Sequence, residues 1–303
     1  MEPTTVAPRV GGHRPSVPVG RRAGTVCVFG SGSNRTNVEL VRRWKRSGLD
    51  AVLMSPSDEP PPGAVVLGRL DVLPTLDGIE PGLRELRDLE REGAVVVLNP
   101  AAALTAVHDK LVTAQRLEAA GLPQPCTACW TGDGEPPLAP PLVLKPRFGS
   151  WGRDVVLCRD RLGLAQSLEV LASRPWFRRQ GVLVQEFLPS PGYDLRLLVA
   201  GGEVVGACER VAAPGEWRTN VSLGGTRRRV EPPAVAQSLG VAAAAEIGAD
   251  LVGVDLVPVA ADRYVVLELN GAVEFDEHYS LAGGDVFADA ACALGLTPGP
   301  GRT

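Results

Sequence analysis

Residues 141–158 read Pro-Leu-Val-Leu-Lys-Pro-Arg-Phe-Gly-Ser-Trp-Gly-Arg-Asp-Val-Val-Leu-Cys. A short apolar run ends at Lys145, a loop with two glycines follows, and a second apolar run begins at Val155. This pattern predicts a strand, a loop and a returning strand. A P-loop would instead need Gly-Lys-Ser/Thr at the end of the loop and a helix after it. The segment therefore excludes a P-loop protein, although it brings together a lysine and flexible backbone N–H groups.

The first hundred residues carry a strand–helix–strand pattern. Thr25–Phe29 is apolar, Gly30-Ser31-Gly32 follows, and a stretch with helical spacing leads to apolar Ala51–Met54. The dinucleotide-binding fingerprint is incomplete, because Arg35 replaces its third glycine and no acidic residue ends the second strand. We therefore predict a small doubly wound domain whose glycines serve only the turn. Asn34 stands at the helix start, where anionic groups bind readily.

The composition is that of a globular chain of about two domains, with 303 residues of which 22% are charged. The net charge of −4 argues against a protein that binds nucleic acid through overall basicity. No apolar run approaches the ~20 residues that cross a bilayer, so we expect no membrane partner. Six cysteines form no disulfide framework, and residues 1–23 resemble no signal peptide. We expect a disordered tail over residues 1–23 and a cytoplasmic protein.

Polar side chains interrupt or end several predicted strands. They are Lys145 in LVLK, Glu186 in LVQEF, Asp255 in VGVDLV, and Glu268 with Asn270 in VVLELN. Burial of an unpaired charge is costly, so each of these groups needs a partner. Structural ion pairs would satisfy any one of them. Their repetition along the chain favours a shared site.

The last two of these strands offer ligands for a metal ion. Glu268 and Asn270 are two residues apart, so both side chains point to one face of the strand. Asp255 occupies a comparable point on the preceding strand. Carboxylate and amide oxygens suit Mg²⁺, which substrate phosphates usually complete, and Lys110 and Lys145 supply cations for such phosphates. The sequence therefore predicts a nucleotide site of a kind other than a P-loop.

The ordered set of motifs resembles the ATP-grasp superfamily, and within it the RimK-type amino-acid ligases. The resemblance extends over residues 95–295, about two thirds of the chain. Within that branch the chain looks most similar to ligases of the LysX and ArgX type, which join an amino acid to the C-terminal glutamate of an amino-group carrier protein. The matching motifs are Asp109-Lys110, Lys145-Pro146, Gly149–Arg153, Gln185–Phe187, Asp194-x-Arg196, Trp217–Asn220, Gly224-Gly225, Gly253–Asp255, Glu268–Asn270 and Glu274-Phe275.

The resemblance implies an α+β ATP-grasp fold, with an N-terminal Rossmann-like (pre-ATP-grasp) α/β domain and two α+β subdomains that clasp ATP. We place these units at residues 24–105, 106–190 and 191–303. The implied reaction begins with a carboxylate that attacks the γ-phosphate of ATP, and an amine then attacks the acyl phosphate. The implied cofactors are ATP and two Mg²⁺ ions. The implied partners are an amino acid and a small acidic carrier protein or peptide, and relatives often form homo-oligomers.

The resemblance also implies roles for individual residues. Lys110 and Lys145 would hold phosphates, and Arg196 would be a further anion contact. The remaining nucleotide contacts would be the lid Gly149, Ser150, Trp151 and Gly152, the adenine-side hinge Gln185, Glu186 and Phe187, and Asp194 on the ribose. The catalytic contacts would be Arg218, Asn220 and Arg210. The metal ligands would be Asp255, Glu268 and Asn270.

Substrate contacts are expected at Asn34 and after the metal-binding strand, at Glu274, Phe275, Asp276 and His278. The LysX and ArgX pattern usually continues Glu-Phe with Lys-Asn, whereas this chain has Asp276-Glu277. If this segment touches substrate, its reversed charge favours an amine-bearing or cationic substrate over a dicarboxylate. Alternatively, both acids are solvated.

Two further features leave alternatives open. Asp154 stands where related loops often have glycine, which predicts a stiffer lid. Arg227–Arg229 could bind an acidic carrier tail or form a solvated turn.

Two other functions remain open. One is RimK-like addition of glutamate to a protein tail or a γ-glutamyl compound. The other is a nucleotide-binding regulator without catalysis, against which the presence of both lysines, Arg218 and all three metal ligands argues.

Overall fold

The computed structural model describes residues 24–297, which form three β-sheets with helices packed against them. The tail expected over residues 1–23 lies outside the described residues. The N-terminal elements are β1 (Val26–Phe29), α1 (Arg35–Arg46), β2 (Ala51–Met54), β3 (Val65–Gly68), α2 (Leu83–Glu92), β4 (Val96–Leu98), α3 (Ala101–His108) and α4 (Lys110–Ala119). The central elements are β5 (Thr127–Trp130), β6 (Leu142–Lys145), β7 (Val156–Cys158), α5 (Arg161–Ala172), α6 (Pro175–Gln180) and β8 (Val182–Glu186). The remaining elements are β9 (Tyr193–Ala200), β10 (Glu203–Val211), β11 (Thr226–Arg229), α7 (Ala234–Ile247), β12 (Leu251–Ala260), β13 (Arg263–Asn270) and α8 (Val286–Ala293).

The N-terminal sheet is parallel, with the strand order β2-β1-β3-β4. Strand β1 is buried on both faces, because Val26 and Val28 join one core cluster and Cys27 and Phe29 join another. The apolar run AVVVL over Ala94–Leu98, bounded by glycine and Asn-Pro, predicts a buried parallel strand. It forms the edge strand β4 instead, with Val96 and Val97 only half-buried.

The other two sheets are antiparallel. The central sheet has the order β5-β8-β6-β7, and β6 and β7 form the strand–loop–strand unit predicted from residues 141–158. The third sheet has the order β11-β10-β9-β12-β13, and α7 packs on one of its faces. Within residues 24–297 no helix is both long enough and apolar enough to cross a membrane.

A hairpin arm of residues 71–80 reaches from the N-terminal sheet to the central one. The side chain of Leu76 is 4% exposed and packs in the core of the central unit, although its φ of 60° is uncommon for leucine. Asp77 forms an ion pair with Arg179 and accepts a hydrogen bond at its backbone oxygen from Gln180 Nε2 at 2.7 Å. The arm therefore ties the central unit to the N-terminal domain by both apolar and polar contacts.

We predict that Leu76→Ala lowers the free energy of unfolding by about 2 to 4 kcal/mol, because it empties a buried leucine site. Alanine keeps the Cβ atom, so the backbone cost of the positive φ is the same in both proteins. Urea unfolding measures the change. The matched control is Leu162→Ala, whose side chain is 69% exposed and which should change the value by less than about 0.5 kcal/mol. Equal effects of the two substitutions would contradict the anchoring role of Leu76.

Candidate active site

A cavity of about 330 Å³ lies between the central and third sheets, beneath the glycine loop. With the exception of Arg196, all residues predicted to contact the nucleotide line it: Lys110, Lys145, Gly149, Ser150, Trp151, Gly152, Gln185, Glu186, Phe187 and Asp194. The predicted catalytic residues Arg210, Arg218 and Asn220 line it too, as does Glu268. Residues that are far apart in sequence therefore meet around one space, which we call the first cavity.

Two lysines face the first cavity. Asp109 caps α4 by accepting from the Leu111 and Val112 amides, which fixes Lys110 at the first helical position. Lys110 Nζ donates to the Gly149 carbonyl at 2.7 Å and lies 3.5 Å from Glu268 Oε2. Lys145 Nζ donates to Gln185 Oε1 at 2.8 Å, and burial lowers the pKa of Lys145 to about 8.

Backbone carbonyls of the glycine loop are held from across the cavity. Arg218 Nη1 donates to Gly152 and Val155 carbonyls, each at 3.2 Å, and Ser222 donates to Trp151 O at 3.0 Å. Hydrogen bonds from Arg218 also hold the pKa of Glu216 at about 2. The loop is thus fixed to the segment that carries Arg218, and its amides line the cavity wall.

The loop takes left-handed backbone conformations at Trp151, Gly152 and Asp154, with φ of 62°, 68° and 54°. The Asp154 carboxylate accepts from the Trp176 indole at 2.8 Å and pairs with Arg174 at 3.3 Å. An aspartate held on both sides has less freedom than a glycine. These contacts favour the stiffer lid predicted from Asp154.

A buried charge network lies where β9, β10 and β12 run side by side. Asp255 binds Arg196 through two hydrogen bonds of 2.6 Å and also accepts from Arg210 at 2.6 Å. Arg210 also pairs with Asp194, whose carboxylate accepts from Thr219 Oγ1 at 2.6 Å. Burial would raise the pKa of Asp255, but the two arginines hold it well below its usual range.

This network engages several residues that were predicted to contact the nucleotide, the metal or the acyl phosphate. Asp194 is 2% exposed, so a ribose contact would require it to leave Arg210 or Thr219. Asp255 is fully buried and lines neither the first cavity nor the smaller cavity next to it. Its carboxylate oxygens accept hydrogen bonds from Arg196 and Arg210. Arg210 and Arg196 are both engaged by carboxylates. The geometry favours a structural role for Asp194 and Asp255 over the predicted contacts with ribose and metal.

Two of the three predicted metal ligands suit Mg²⁺. Asn270 and Glu268 line the same cavity wall. Their oxygens belong to the hard donor class that Mg²⁺ prefers. Asp255 lies opposite Glu268 in the strand register, but it is turned to the arginines. In the described part of the chain, no three His, Cys, Asp or Glu residues form a metal cluster.

A second cavity of about 70 Å³ adjoins the first. The two share Ser150, Trp151, Arg210, Asn220 and Glu268 in their walls. Arg196 lines this second cavity instead of the first. Its other walls include Asp71, His108, Arg227, Asn270, Glu274 and Tyr279.

Of the predicted substrate residues, Glu274 alone lines the second cavity. Asn34 caps α1 by accepting from the Thr36 and Asn37 amides, and Phe275 is buried beside Phe287 and Tyr279. These two residues were expected to contact substrate but serve the helix cap and the core.

The acidic segment that follows also lies outside the second cavity. Asp276 pairs with Arg227 at 2.6 Å and with exposed His278 at 3.0 Å, and Glu277 forms an ion pair with Arg43. Neither Asp276 nor Glu277 lines the second cavity. The acidic segment is connected to that cavity through the ion pair between Asp276 and Arg227.

Sequence reasoning missed several lining residues. Asp71 follows β3, and the carboxyl end of a parallel strand is a usual place for site residues, so this signal was available. His108 lacks the spacing of a metal ligand, so the sequence predicts only local contacts for it. Its Nε2 lies 2.8 Å from the Leu70 carbonyl, and burial lowers the His108 pKa to about 4, which keeps the ring neutral at pH 7. No sequence pattern marked Tyr279 as a residue of the site.

Comparison with known proteins identifies the family of the chain. Residues 135–290 match the family model described as the RimK-like ATP-grasp domain. The chain belongs to the RimK-like ATP-grasp family. It is 35% identical over 212 residues to a probable alpha-L-glutamate ligase of Serratia proteamaculans, a match that covers 68% of this chain and 69% of that protein. It is 30% identical over 233 residues to glutamate–LysW ligase ArgX of Sulfurisphaera tokodaii, over 74% and 81% of the two chains.

A solved structure supports the fold of this ATP-grasp chain. The RimK domain ATP-grasp protein of Sphaerobacter thermophilus superimposes with a TM-score of 0.62 at 22% identity, over 89% of this chain and 99% of that one. The predicted α+β ATP-grasp fold is confirmed. The protein is an ATP-grasp ligase, and its family carries out ATP-dependent ligation of a carboxylate to an amine.

We predict that Gly152→Ala lowers kcat/KM for ATP by about tenfold to a hundredfold, because an added Cβ would lie 2.8 Å from Asn220 Oδ1 and displace the lid. The matched control is Gly93→Ala. Gly93 has a similar φ of 66° but no neighbour within 4 Å of an added Cβ, so it carries the same backbone cost without the contact. ADP release assays measure both variants. A loss of the same size in Gly93→Ala would show that the contact with Asn220 is unimportant.

We also predict that the Kd for ATP rises between pH 8 and 9 by up to about tenfold, because Lys145 loses its proton in this range. The pKa is lowered from that of an ordinary lysine, so the charge is present below pH 8 and lost above it. Calorimetric titration at several pH values measures the effect. Lys145→Arg keeps its charge over this range and should flatten the profile. A wild-type Kd that stays constant up to pH 10 would refute the assignment.

Proposed function

We propose that this ligase joins an amino acid, through its amine, to the C-terminal glutamate of a carrier protein or peptide by way of an acyl phosphate. The observation that carries the proposal is the pair of adjoining cavities with shared walls. The first has the cations and glycine loop that suit ATP, and the second has room for the reacting end of another substrate. An enzyme that uses ATP to couple two substrates needs such adjoining sites.

In the first step a substrate carboxylate oxygen attacks the γ-phosphorus of ATP, the bond to the β-phosphate oxygen breaks, and ADP leaves. Charge neutralisation and positioning dominate such transfers. Lys110 and Lys145 face the cavity where the phosphates would lie, and Arg218 holds the glycine loop over them. Phe187 and Trp217, whose ring centroids are 5.8 Å apart, offer an aromatic wall for the adenine.

Mg²⁺, when bound, would neutralise phosphate charge, and Glu268 and Asn270 would hold it. Two ions are proposed by resemblance to the superfamily. Glu268 lies in the walls of both cavities and beside Lys110, so its carboxylate stands between the place for phosphates and the second substrate.

In the second step the amine nitrogen attacks the acyl carbon, the bond from that carbon to the phosphate oxygen breaks, and inorganic phosphate leaves. The nitrogen loses its extra proton and an amide forms. Asn220 and Ser150 lie in the walls of both cavities, where they can contact the reacting carbonyl from either side. We propose Asn220 as a hydrogen-bond partner of the acyl phosphate.

Arg228 and Arg229 support an acidic acceptor. Both lie on the edge strand β11 and are exposed, whereas Arg227 on the same strand lines the second cavity. Arg228 pairs with Glu209, and Arg229 donates to the Glu277 carbonyl at 3.0 Å. An exposed basic edge strand offers charge and backbone groups to an acidic tail. The similarity to the probable alpha-L-glutamate ligase supports glutamate addition to a protein tail as a second candidate.

The decisive experiment measures ADP release by the purified protein with Mg-ATP, each of the twenty amino acids, and peptides that end in glutamate. Mass spectrometry then identifies the ligated product. ATP binding without ADP release for every pair would overturn the proposal and favour a nucleotide-binding regulator.

We predict that Glu268→Ala lowers the rate of ligation by at least about a hundredfold, since it removes a carboxylate between the two cavities. Circular dichroism and thermal unfolding check that the fold is retained. Glu246→Ala, on an exposed part of α7, is the control and should keep the wild-type rate. Substantial residual activity of Glu268→Ala would refute its assignment to the metal.

A further inference from the structure

The second cavity contains two carboxylates that bind no cation within residues 24–297. Among the residues that the structure describes, Glu274 makes no side-chain hydrogen bond or ion pair, and the Asp71 carboxylate accepts only from the Val72 amide, at 2.7 Å. Burial raises the pKa of both groups, and the charge of Asp71 raises that of Glu274 further. Two half-buried acids with mutual repulsion are unfavourable unless a positive group lies between them.

Several basic residues lie near this pair without bonding to it, among them Lys110 and Arg153 beside Asp71. Arg227, Arg35 and Arg69 are close enough to lower the pKa of Glu274, but none forms a hydrogen bond or ion pair with it. Arg69 is fully buried and donates instead to Asn37 Oδ1 and to the Val273 carbonyl, at 2.6 and 2.7 Å. Within residues 24–297 the Glu274 carboxylate is therefore open to a cation from outside.

The same cavity also contains donors without acceptors. Tyr279 is fully buried, and its hydroxyl has no hydrogen-bond partner in the described residues, although the weakly polar thiol of Cys208 is nearby. Arg227 Nε is buried and has no hydrogen-bond partner in the described part of the chain, while Nη1 of the same side chain donates to Asp276. Buried polar groups are nearly always satisfied in proteins, so unpaired donors in a cavity wall point to a ligand that accepts hydrogen bonds.

We propose that the second cavity binds the amine substrate as a zwitterionic α-amino acid, with its ammonium group at Asp71 and Glu274 and its carboxylate at Arg227 and Tyr279. This deepens the proposed function and rests on it, since the amine is the second substrate of that reaction. A cavity of about 70 Å³ holds about five to seven water-sized groups, which fits the ammonium, Cα and carboxylate common to all amino acids. Residues at the cavity mouth would determine which amino-acid side chain is accepted.

The N-terminal domain would then contribute to substrate recognition. Asp71 is the first residue of the arm that anchors Leu76 in the central unit, and Glu274 follows β13 of the third sheet. The ammonium group would therefore bridge two units of the molecule. Docking of the arm on the central unit therefore positions Asp71, one of the two carboxylates that would bind the ammonium group.

The test compares two nucleophiles in wild-type and variant proteins. The acyl donor is a peptide that ends in glutamate, with Mg-ATP. The nucleophile is either an equimolar mixture of the twenty amino acids or hydroxylamine, which is mostly uncharged at neutral pH and carries no carboxylate. Hydroxamate formation reports the acyl phosphate alone, whereas amide formation also requires the amino-acid site.

We expect Glu274→Gln, Asp71→Asn and Arg227→Gln each to lower amide formation at least tenfold and to leave hydroxamate formation within twofold of wild type. The matched controls are Glu277→Gln, whose carboxylate pairs with Arg43 outside the cavity, and Arg84→Gln, an exposed arginine on α2. Both controls should keep both activities.

The outcomes separate the two proposals. If the variants lose amide and hydroxamate formation together, or lose neither, the amino-acid site is wrong while the ligase function stands. If the wild-type protein forms no hydroxamate, the proposed function fails, and the site proposal fails with it. Thermal unfolding of each variant shows whether a joint loss reflects misfolding, and Glu274→Asp, which keeps the charge, should then recover part of the amide formation.

Discussion

Two arginines and two aspartates buried together are the constraint on which the site depends. Arg196, Arg210, Asp194 and Asp255 carry formal charges that cancel, and each charge has an opposite partner within hydrogen-bond distance. Removal of one member would leave an uncompensated buried charge, which typically costs about 3 to 5 kcal/mol. The network joins strands β9, β10 and β12 and forms the floor between the two cavities. It therefore fixes the surface on which both substrates would lie.

The strand register explains why these polar residues share one face. Asp255 lies opposite Arg196 on one side and opposite Glu268 on the other, so three neighbouring strands contribute one row of charges. Further along β9 the same face becomes apolar at Leu198 and Ala200, which pack in a core with the N-terminal domain. A single sheet face thus supplies the site at one end and the domain contact at the other.

Sequence patterns predicted the parts that local chemistry determines. The sequence of Ala234–Ile247 predicts a helix, and α7 has those bounds; Lys110 and Lys145 line one cavity as the sequence predicts. Helix α3 was missed because its sequence AAALTAVH has no polar face to give it a helical period. The arm and most of the second cavity were also missed. Their contacts join residues such as Asp71 and Glu274 across some two hundred positions, and no local pattern records such a pairing.

Departures from ordinary folding rules concentrate at the proposed site. Lys145 is buried and bonded to a neutral amide, Glu274 has no bonded cation within residues 24–297, and Asp154 takes a backbone conformation that favours glycine. None of these features stabilises the free protein, since each leaves a charge poorly compensated or a backbone strained. Each is explained if an anion meets the lysine, an ammonium group meets the glutamate, and a rigid lid covers both. Stability lost in the free protein then becomes binding energy when the substrates arrive, because they supply the charges that the chain lacks.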